Sequence, residues 1–284
     1  LTPQEQKECC LYCIAKRLIT KNAEDKVKNN GEYIVELLSY TNPDVQKKLG
    51  KAFIENTGSE FKCLFVNLES SGFVAKMAIQ VLKFDAVLST YSTVILLIPE
   101  GLIEDEALMK GVGSFLKLST SVTNFVLGVV DEEGKKPAAA FDNISYIFEG
   151  IVLSKTLKNF GILRLLNANF TMKPESVIKI ANCIAACKLN SLGLANLAFQ
   201  GEDRNKIVEA CAKNVNLTLV GLQLLGATAD DIGAILKPFA KAAALKWLIC
   251  GVKLDNYEEA VKKNEGILKS NPKFEGLVID FFKK

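Results

Sequence analysis

Three cysteines lie close together near the start of the sequence, in the pattern Cys9-Cys10-x-x-Cys13. Thiolates at this spacing could join a metal site. No fourth ligand lies nearby in the sequence, and the three cysteines fall on a predicted helix whose apolar stripe includes Cys10, Ile14 and Leu18. We therefore interpret them as core side chains and predict no metal site.

Other chemistry-bearing patterns are weak. The chain has no histidine, which removes imidazole-based triads and most catalytic zinc sites. Gly111-Val-Gly113 falls inside a predicted helix and lacks the third glycine of a dinucleotide-binding loop. The pair Asp230-Asp231 fits a helix start better than acid–base catalysis. We predict that the chain is not an enzyme and that it binds no cofactor.

The surroundings of the eight cysteines in the sequence indicate whether the protein's compartment is reducing. Most lie in apolar runs, where a free thiol packs as a small hydrophobe. Cys183 and Cys187, one helical turn apart, receive the same interpretation. Free thiols of this kind favour a reducing, cytoplasmic location.

Charge and hydropathy exclude some classes of binding partner. Net charge is +3 and the only arginines are Arg17, Arg164 and Arg204, so there is no arginine cluster of the kind that grips phosphates. No apolar stretch reaches the length of a membrane span. We predict no nucleic acid binding and no membrane insertion.

The elements that position any binding residues follow from a repeated phrase of apolar residues at positions one, four and six. Its starts lie 29, 28, 28 and 29 residues apart, a spacing typical of a solenoid. The clearest copies are Phe160-Gly-Ile-Leu163-Arg-Leu165, Leu189-Asn-Ser-Leu192-Gly-Leu194, Leu217-Thr-Leu-Val220-Gly-Leu222, Leu245-Lys-Trp-Leu248-Ile-Cys250 and Phe274-Glu-Gly-Leu277-Val-Ile279.

Weaker copies extend the repeat towards the N-terminus. They begin at Phe61, Thr93 and Val122. The long step from Val122 to Phe160 predicts an insertion within 131–156, part of which should project as a loop. About eight repeats are therefore predicted over 59–284.

Each strand phrase precedes a helix-type segment. Ile178, Ile207 and Ile235 each lie 18 residues after a repeat start, which predicts one shared apolar helix position. Strands that alternate with helices build a parallel sheet, so the predicted class is α/β, with strands on the concave side and helices on the convex side. Residues 1–58 contain no strand phrase and are predicted to form an all-helical N-terminal cap.

The repeated phrase and its 28 to 29 residue period resemble the leucine-rich repeat family, in its ribonuclease-inhibitor-type subclass. The family carries an asparagine eight positions after each repeat start, and here those positions are Ala168, Leu197, Leu225 and Lys253. The chain is thus a degenerate example without the asparagine ladder. The resemblance implies a protein-recognition scaffold, and that is our first hypothesis.

Two other functions stay open. Repeats of this subclass also occur in the Ran GTPase-activating protein, so the chain could stimulate a GTPase, although no residue set here matches a motif for that role. A host-directed bacterial effector built on the same scaffold is the third hypothesis.

Within each phrase the residues between the apolar template positions should face the concave side. From Val122 onward most of them are apolar or glycine, whereas a solvated sheet face would be polar. We predict that a helix or extended segment of a partner protein covers this face, with Trp247 as a main anchor. The residues expected to contact the partner are Ile162, Arg164, Leu166, Leu219, Gln223, Trp247, Ile249, Val278 and Asp280.

Two alternatives to that interface remain. Another part of the chain, such as the insertion or a terminal segment, could cover the face from within. The strand register could also be off by one residue, which would exchange the two faces.

Overall fold

The computed structural model describes residues 34–36, 63–67, 92–130, 140–164, 172–194, 199, 201–223, 229–251, 264 and 266–280. The strands found in these residues are β1 Ile34–Glu36, β2 Cys63–Asn67, β3 Thr93–Pro99, β4 Asn124–Val130, β5 Asn159–Arg164, β6 Ser191–Leu194, β7 Leu219–Gln223, β8 Trp247–Gly251 and β9 Gly276–Asp280. The helices are α1 Glu106–Leu118, α2 Ile144–Leu153, α3 Pro174–Ala186, α4 Gly201–Lys213 and α5 Ala229–Phe239, with a 3₁₀ helix, Glu100–Glu104, before α1.

The strands form one sheet in which every neighbouring pair is parallel and the spatial order follows the sequence. Helices alternate with strands from β3 to β8. Parallel neighbours need a crossover connection, and the helices supply it. The α/β class predicted from the sequence is therefore confirmed.

Alternation along the strands separates the two faces of the sheet. In β4, Phe125 and Leu127 are fully buried, while Asn124 and Val126, which alternate with them, are only half-buried. The same pattern holds in β6, where Leu192 and Leu194 are buried. The buried positions pack against the helices, and we call the other side of the sheet the open face.

Helix boundaries follow local signals. Asp105 caps α1 by accepting a hydrogen bond from the Leu108 N–H at 3.0 Å, which satisfies one of the free donors at a helix start. Pro174 opens α3, where its fixed φ angle suits the first helical position. Gly111 and Gly113 lie within α1, as predicted. Among the described residues, no helix is both long enough and apolar enough to cross a membrane.

The prediction of an all-helical segment over 1–58 is wrong at Ile34–Glu36. These residues form β1, which pairs in parallel with β2. Ile34 and Val35 are β-branched, and such residues favour strands. The rest of the predicted cap and the predicted loop at 131–137 lie outside the described residues.

The predicted register is wrong in β5. Phe160 pairs with Phe125 and Leu192, and Ile162 pairs with Leu127. Leu157, Phe160 and Ile162 are at most 3% exposed. The phrase in this repeat is therefore Leu157-Lys-Asn-Phe160-Gly-Ile162, three residues earlier than predicted.

An aromatic cluster stabilises the corrected register. The rings of Phe125 and Phe160 stack with their centroids 6.1 Å apart, and Phe148 of α2 meets Phe160 edge-on at 5.5 Å. Such pairs contribute about 0.5 to 1.5 kcal/mol beyond the burial of their area. The shift also explains why Ile178 is 47% exposed while Ile207 and Ile235 are buried. The shared helix position predicted for these three isoleucines is wrong for Ile178.

Candidate binding face of the sheet

The open face is organised in rows that run across the strands. One row consists of residues in direct register on six strands: Asn124, Asn159, Ser191, Leu219, Trp247 and Gly276. Consecutive members lie 35, 32, 28, 28 and 29 residues apart in the chain. The row begins with the polar side chains of Asn124, Asn159 and Ser191 and continues with the large apolar ones of Leu219 and Trp247, so a ligand lying along it would meet two different chemistries.

A column of three glycines lies beside this row. Gly161, Gly193 and Gly221 pair with one another on β5, β6 and β7. A Cβ atom added at Gly161 would meet no neighbouring atom within 4 Å, and at Gly193 and Gly221 the nearest atom is the adjacent glycine Cα at 3.7 and 3.6 Å. Side chains would fit here, so packing does not require glycine.

The glycine column leaves strand backbone uncovered. Glycine inside a strand weakens it by roughly 0.5 to 1 kcal/mol relative to alanine. It often marks a place where a ligand or another backbone approaches closely. Three such residues in register leave a strip of backbone without side chains on the open face, and we call it the glycine groove.

Trp247 borders the groove on β8 and is held in place. The side chain is 40% exposed, and its indole Nε1–H donates a hydrogen bond to Glu275 Oε2 at 3.0 Å. Lys246 Nζ lies 2.9 Å from Glu275 Oε1. The hydrogen bond from Lys246, aided by the one from Trp247, lowers the pKa of Glu275 below its ordinary value. The hydrogen bond to this carboxylate fixes the orientation of an exposed aromatic ring.

The other end of the row is polar and also ordered. Asn159 Nδ2 donates to Asn124 Oδ1 at 2.6 Å, and Asn124 Nδ2 donates to Thr123 Oγ1 at 3.2 Å. These amides make this end of the open face polar. A partner with polar groups at one end and an apolar group at the other matches the row.

The structure places two of the nine predicted contact residues on the described open face, Leu219 and Trp247, in register with each other. Ile162 is wrong as a contact residue because it is 0% exposed and belongs to the core. Leu166 lies outside the described residues. Five others lie on described strands, but their side chains are not among those described: Arg164, Gln223, Ile249, Val278 and Asp280.

Sequence reasoning missed Asn159 and Gly161. The phrase starting at Leu157 was visible, but the step from Phe160 to Leu189 matches the regular period of 29, whereas the true step from Leu157 to Leu189 is 32. A shift of an odd number of residues exchanges the two faces of a strand. The aligned glycines at Gly193 and Gly221 were the signal that could have located Gly161.

The described cysteines are unreactive in character. Burial raises the pKa of the Cys183 thiol to about 11 and also raises the pKa of Cys187 and Cys211. Cys187 and Cys211 are buried and unpaired, which confirms their prediction as core side chains. Within the described residues, no cluster of acidic and thiol side chains is arranged to hold a metal ion.

Comparison of the sequence with protein-family models and with curated proteins finds no match in either set.

Proposed function

We propose that this chain is a non-enzymatic interaction module that docks an extended segment of a partner protein across the open face. The glycine groove carries this proposal. Its three glycines are not required by the packing around them, and a bare backbone next to a fixed aromatic ring suits a partner whose main chain approaches closely.

The repeat supports a solenoid of the leucine-rich-repeat type as the scaffold. Successive strands lie in parallel register with near-constant spacing, and the apolar phrase recurs at Leu157, Leu189, Leu217 and Leu245, all buried. Solenoids of this kind bind through the side chains on the sheet. The buried thiols support a reducing, cytoplasmic setting.

Gly193→Val tests the groove separately from the fold. The new side chain points into open space and valine favours strands, so the stability of the chain should stay equal or rise by about 0.5 to 1 kcal/mol. The isopropyl group would fill the groove, and we expect at least about a tenfold loss of partner binding. The measurement pairs thermal unfolding with capture of partners from native extract, quantified by mass spectrometry against the unmodified chain.

Trp247→Ala is a second test of binding on the open face, and Ile178→Ala is the control. Loss of a central tryptophan commonly weakens an interface by about 2 kcal/mol, or roughly 30-fold. Ile178 is similarly exposed but lies on α3, so Ile178→Ala should retain every partner. If Gly193→Val and Trp247→Ala captured the same partners at the same level as Ile178→Ala, docking on the open face would be ruled out.

A further inference from the structure

Most charged residues among those described are segregated between the two ends of the strands, although Lys173 and Arg204 lie at the acidic end. Because the strands are all parallel, the turns that lead from each helix into the next strand lie along one edge of the sheet. Ten exposed lysines lie in these turns or in the helical turn just before them: Lys117, Lys155, Lys158, Lys188, Lys213, Lys237, Lys241, Lys246, Lys269 and Lys273. We call this side of the molecule the basic edge.

Acidic residues gather at the opposite edge, where strands end and helices begin. Those described there are Glu100, Glu104, Asp105, Glu106, Asp142, Glu175, Glu202, Asp203, Asp230 and Asp231. Along the described turns of the basic edge the single acid is Glu275, which is paired with Lys246. The net charge of the whole chain is only +3, but the basic edge carries a large local excess of positive charge.

Helix dipoles explain only part of this segregation. A lysine in the last turn of a helix is stabilised by the partial negative charge there, and the effect fades within about one turn. Lys117, Lys213 and Lys237 occupy such positions. The last turns of α2 and α3 have no basic residue, yet Lys155, Lys158 and Lys188 lie in the turns after them.

Large apolar side chains protrude from the same edge. Among the described residues, Leu118 is 54% exposed, Leu153 is 53% exposed and Val215 is 69% exposed. Leu118 and Leu153 are the last residues of the neighbouring helices α1 and α2. Val215 follows α4. Single exposed apolar residues are ordinary, but these three stand among lysines along one edge.

The turns that carry these side chains are tied to one another. Thr156 Oγ1 donates to the Ser119 carbonyl at 3.3 Å, which joins the turns after α1 and α2. Asn216 Nδ2 donates to the Cys187 carbonyl at 3.3 Å, which joins the turns after α3 and α4. The lysines and apolar tips are therefore presented on ordered turns.

We propose that the basic edge docks the protein on an anionic lipid surface without spanning it. Lysines near an anionic bilayer contribute favourable energy additively and without a fixed geometry, and protruding leucines and valines can enter the boundary between headgroups and acyl chains. An acidic protein or nucleic acid would use arginine forks. None of the three arginines lies in the described turns of this edge. This surface adjoins the open face at Glu275, which accepts hydrogen bonds from both Lys246 and Trp247.

Vesicle sedimentation with the full chain tests the proposal. The chain should bind vesicles with about 30 mol% phosphatidylserine, should ignore pure phosphatidylcholine, and should detach as ionic strength rises past about 0.5 M. The variant K155Q/K158Q/K188Q should lose roughly 100-fold in affinity, at about fivefold per lysine. The matched control K110Q/K173Q/K206Q removes three lysines from other positions and should lose less than about threefold.

A separate pair of variants tests the exposed apolar side chains. L118S/L153S should weaken binding to the anionic vesicles several-fold at every salt concentration, and Ile178→Ser should not. Equal binding to both vesicle types, no binding to the anionic ones, or equal losses in the edge variant and its control would each overturn the proposal. Lipid-free self-association that K155Q/K158Q/K188Q abolishes, seen by sedimentation velocity without vesicle binding, would instead assign the edge to a second copy and overturn it as well.

Discussion

Asn214 and Asn271 join consecutive repeats at the level of single side chains. Asn214 Nδ2 donates to the carbonyls of Ile184 and Cys187 at 2.6 and 2.9 Å, while its Oδ1 accepts from the Asn216 N–H at 2.7 Å. Asn271 does the same two repeats further along, with its Nδ2 donating to the Ala242 carbonyl at 2.8 Å. Both side chains are at most 5% exposed. The four ladder positions that lack asparagine lie outside the described residues, and these two amides lie elsewhere, three residues before a strand phrase.

Replacing Asn214 should lower the stability of the fold. Asn214→Ala would remove the amide donor from two buried carbonyls and the acceptor from the Asn216 and Leu217 N–H groups. We expect a loss of about 2 to 4 kcal/mol in the free energy of unfolding. Asn214→Asp should lose at least as much, because a carboxylate cannot donate to the two carbonyls. Urea unfolding measures both, with the exposed Asn205→Ala as the control, expected within about 0.5 kcal/mol of the original chain. A cost for Asn214→Ala no larger than that of Asn205→Ala would contradict the bridging role.

At the scale of elements, α1 and α2 approach each other through paired glycines. A Cβ atom built on Gly150 would overlap the Gly113 carbonyl oxygen, and one built on Gly113 would overlap the Tyr146 carbonyl oxygen. The two helix backbones thus touch, and a methyl group would force them apart. Tyr146 spans the same helices from outside, since its hydroxyl donates to Glu106 Oε1 at 2.9 Å.

Gly150→Ala should destabilise the protein although alanine is the better helix former. The propensity gain of about 1 kcal/mol is outweighed by overpacking, which typically costs about 1 to 3 kcal/mol and more where the clash is with backbone. We expect a net loss of at least about 1 kcal/mol in urea unfolding. The control is Gly266→Ala, where an added Cβ meets nothing within 4 Å. A gain of stability in both variants would show that α1 and α2 do not touch as described.

Element type was more predictable than register. Helix starts such as Pro174 and the apolar phrases after Leu189 carry their own local signals, so their positions could be read directly. Which β5 residues point towards the core depends on whether Leu157 or Phe160 begins the phrase. Both residues fit the template. Only the stacking of Phe160 on Phe125, a contact between distant parts of the chain, decides between them. The glycine groove and the pairing of Trp247 with Glu275 are invisible until the strands are aligned.

At the scale of the whole molecule, one backbone contact recurs from repeat to repeat along the described strands β3 to β8. The carbonyls of Ser92, Thr123, Lys158, Asn190 and Thr218 each accept from two successive N–H groups at the start of the next strand, at 2.6 to 3.2 Å. The extensive helix contacts likewise join consecutive helices. Energetic coupling in such an arrangement should be confined to neighbouring repeats.

Double-mutant cycles can measure that confinement. Ser154 and Asn271 lie in different repeats. The Ser154 side chain bonds to Leu157 and the Asn271 side chain bonds to Phe239, Ala242 and Lys273, so these contacts do not overlap. Ser154→Ala and Asn271→Ala should therefore add within about 0.5 kcal/mol in urea unfolding.

The neighbouring pair Cys187→Ala and Asn214→Ala should instead be non-additive by about 0.5 kcal/mol or more. Cys187 Sγ and Asn214 Nδ2 both donate to the Ile184 carbonyl, at 3.2 and 2.6 Å, so removing one side chain changes what the other contributes. Strong coupling of the distant pair would mean that the chain unfolds as a single compact core, and the stack of locally coupled repeats that places the glycine groove and the basic edge would have to be abandoned.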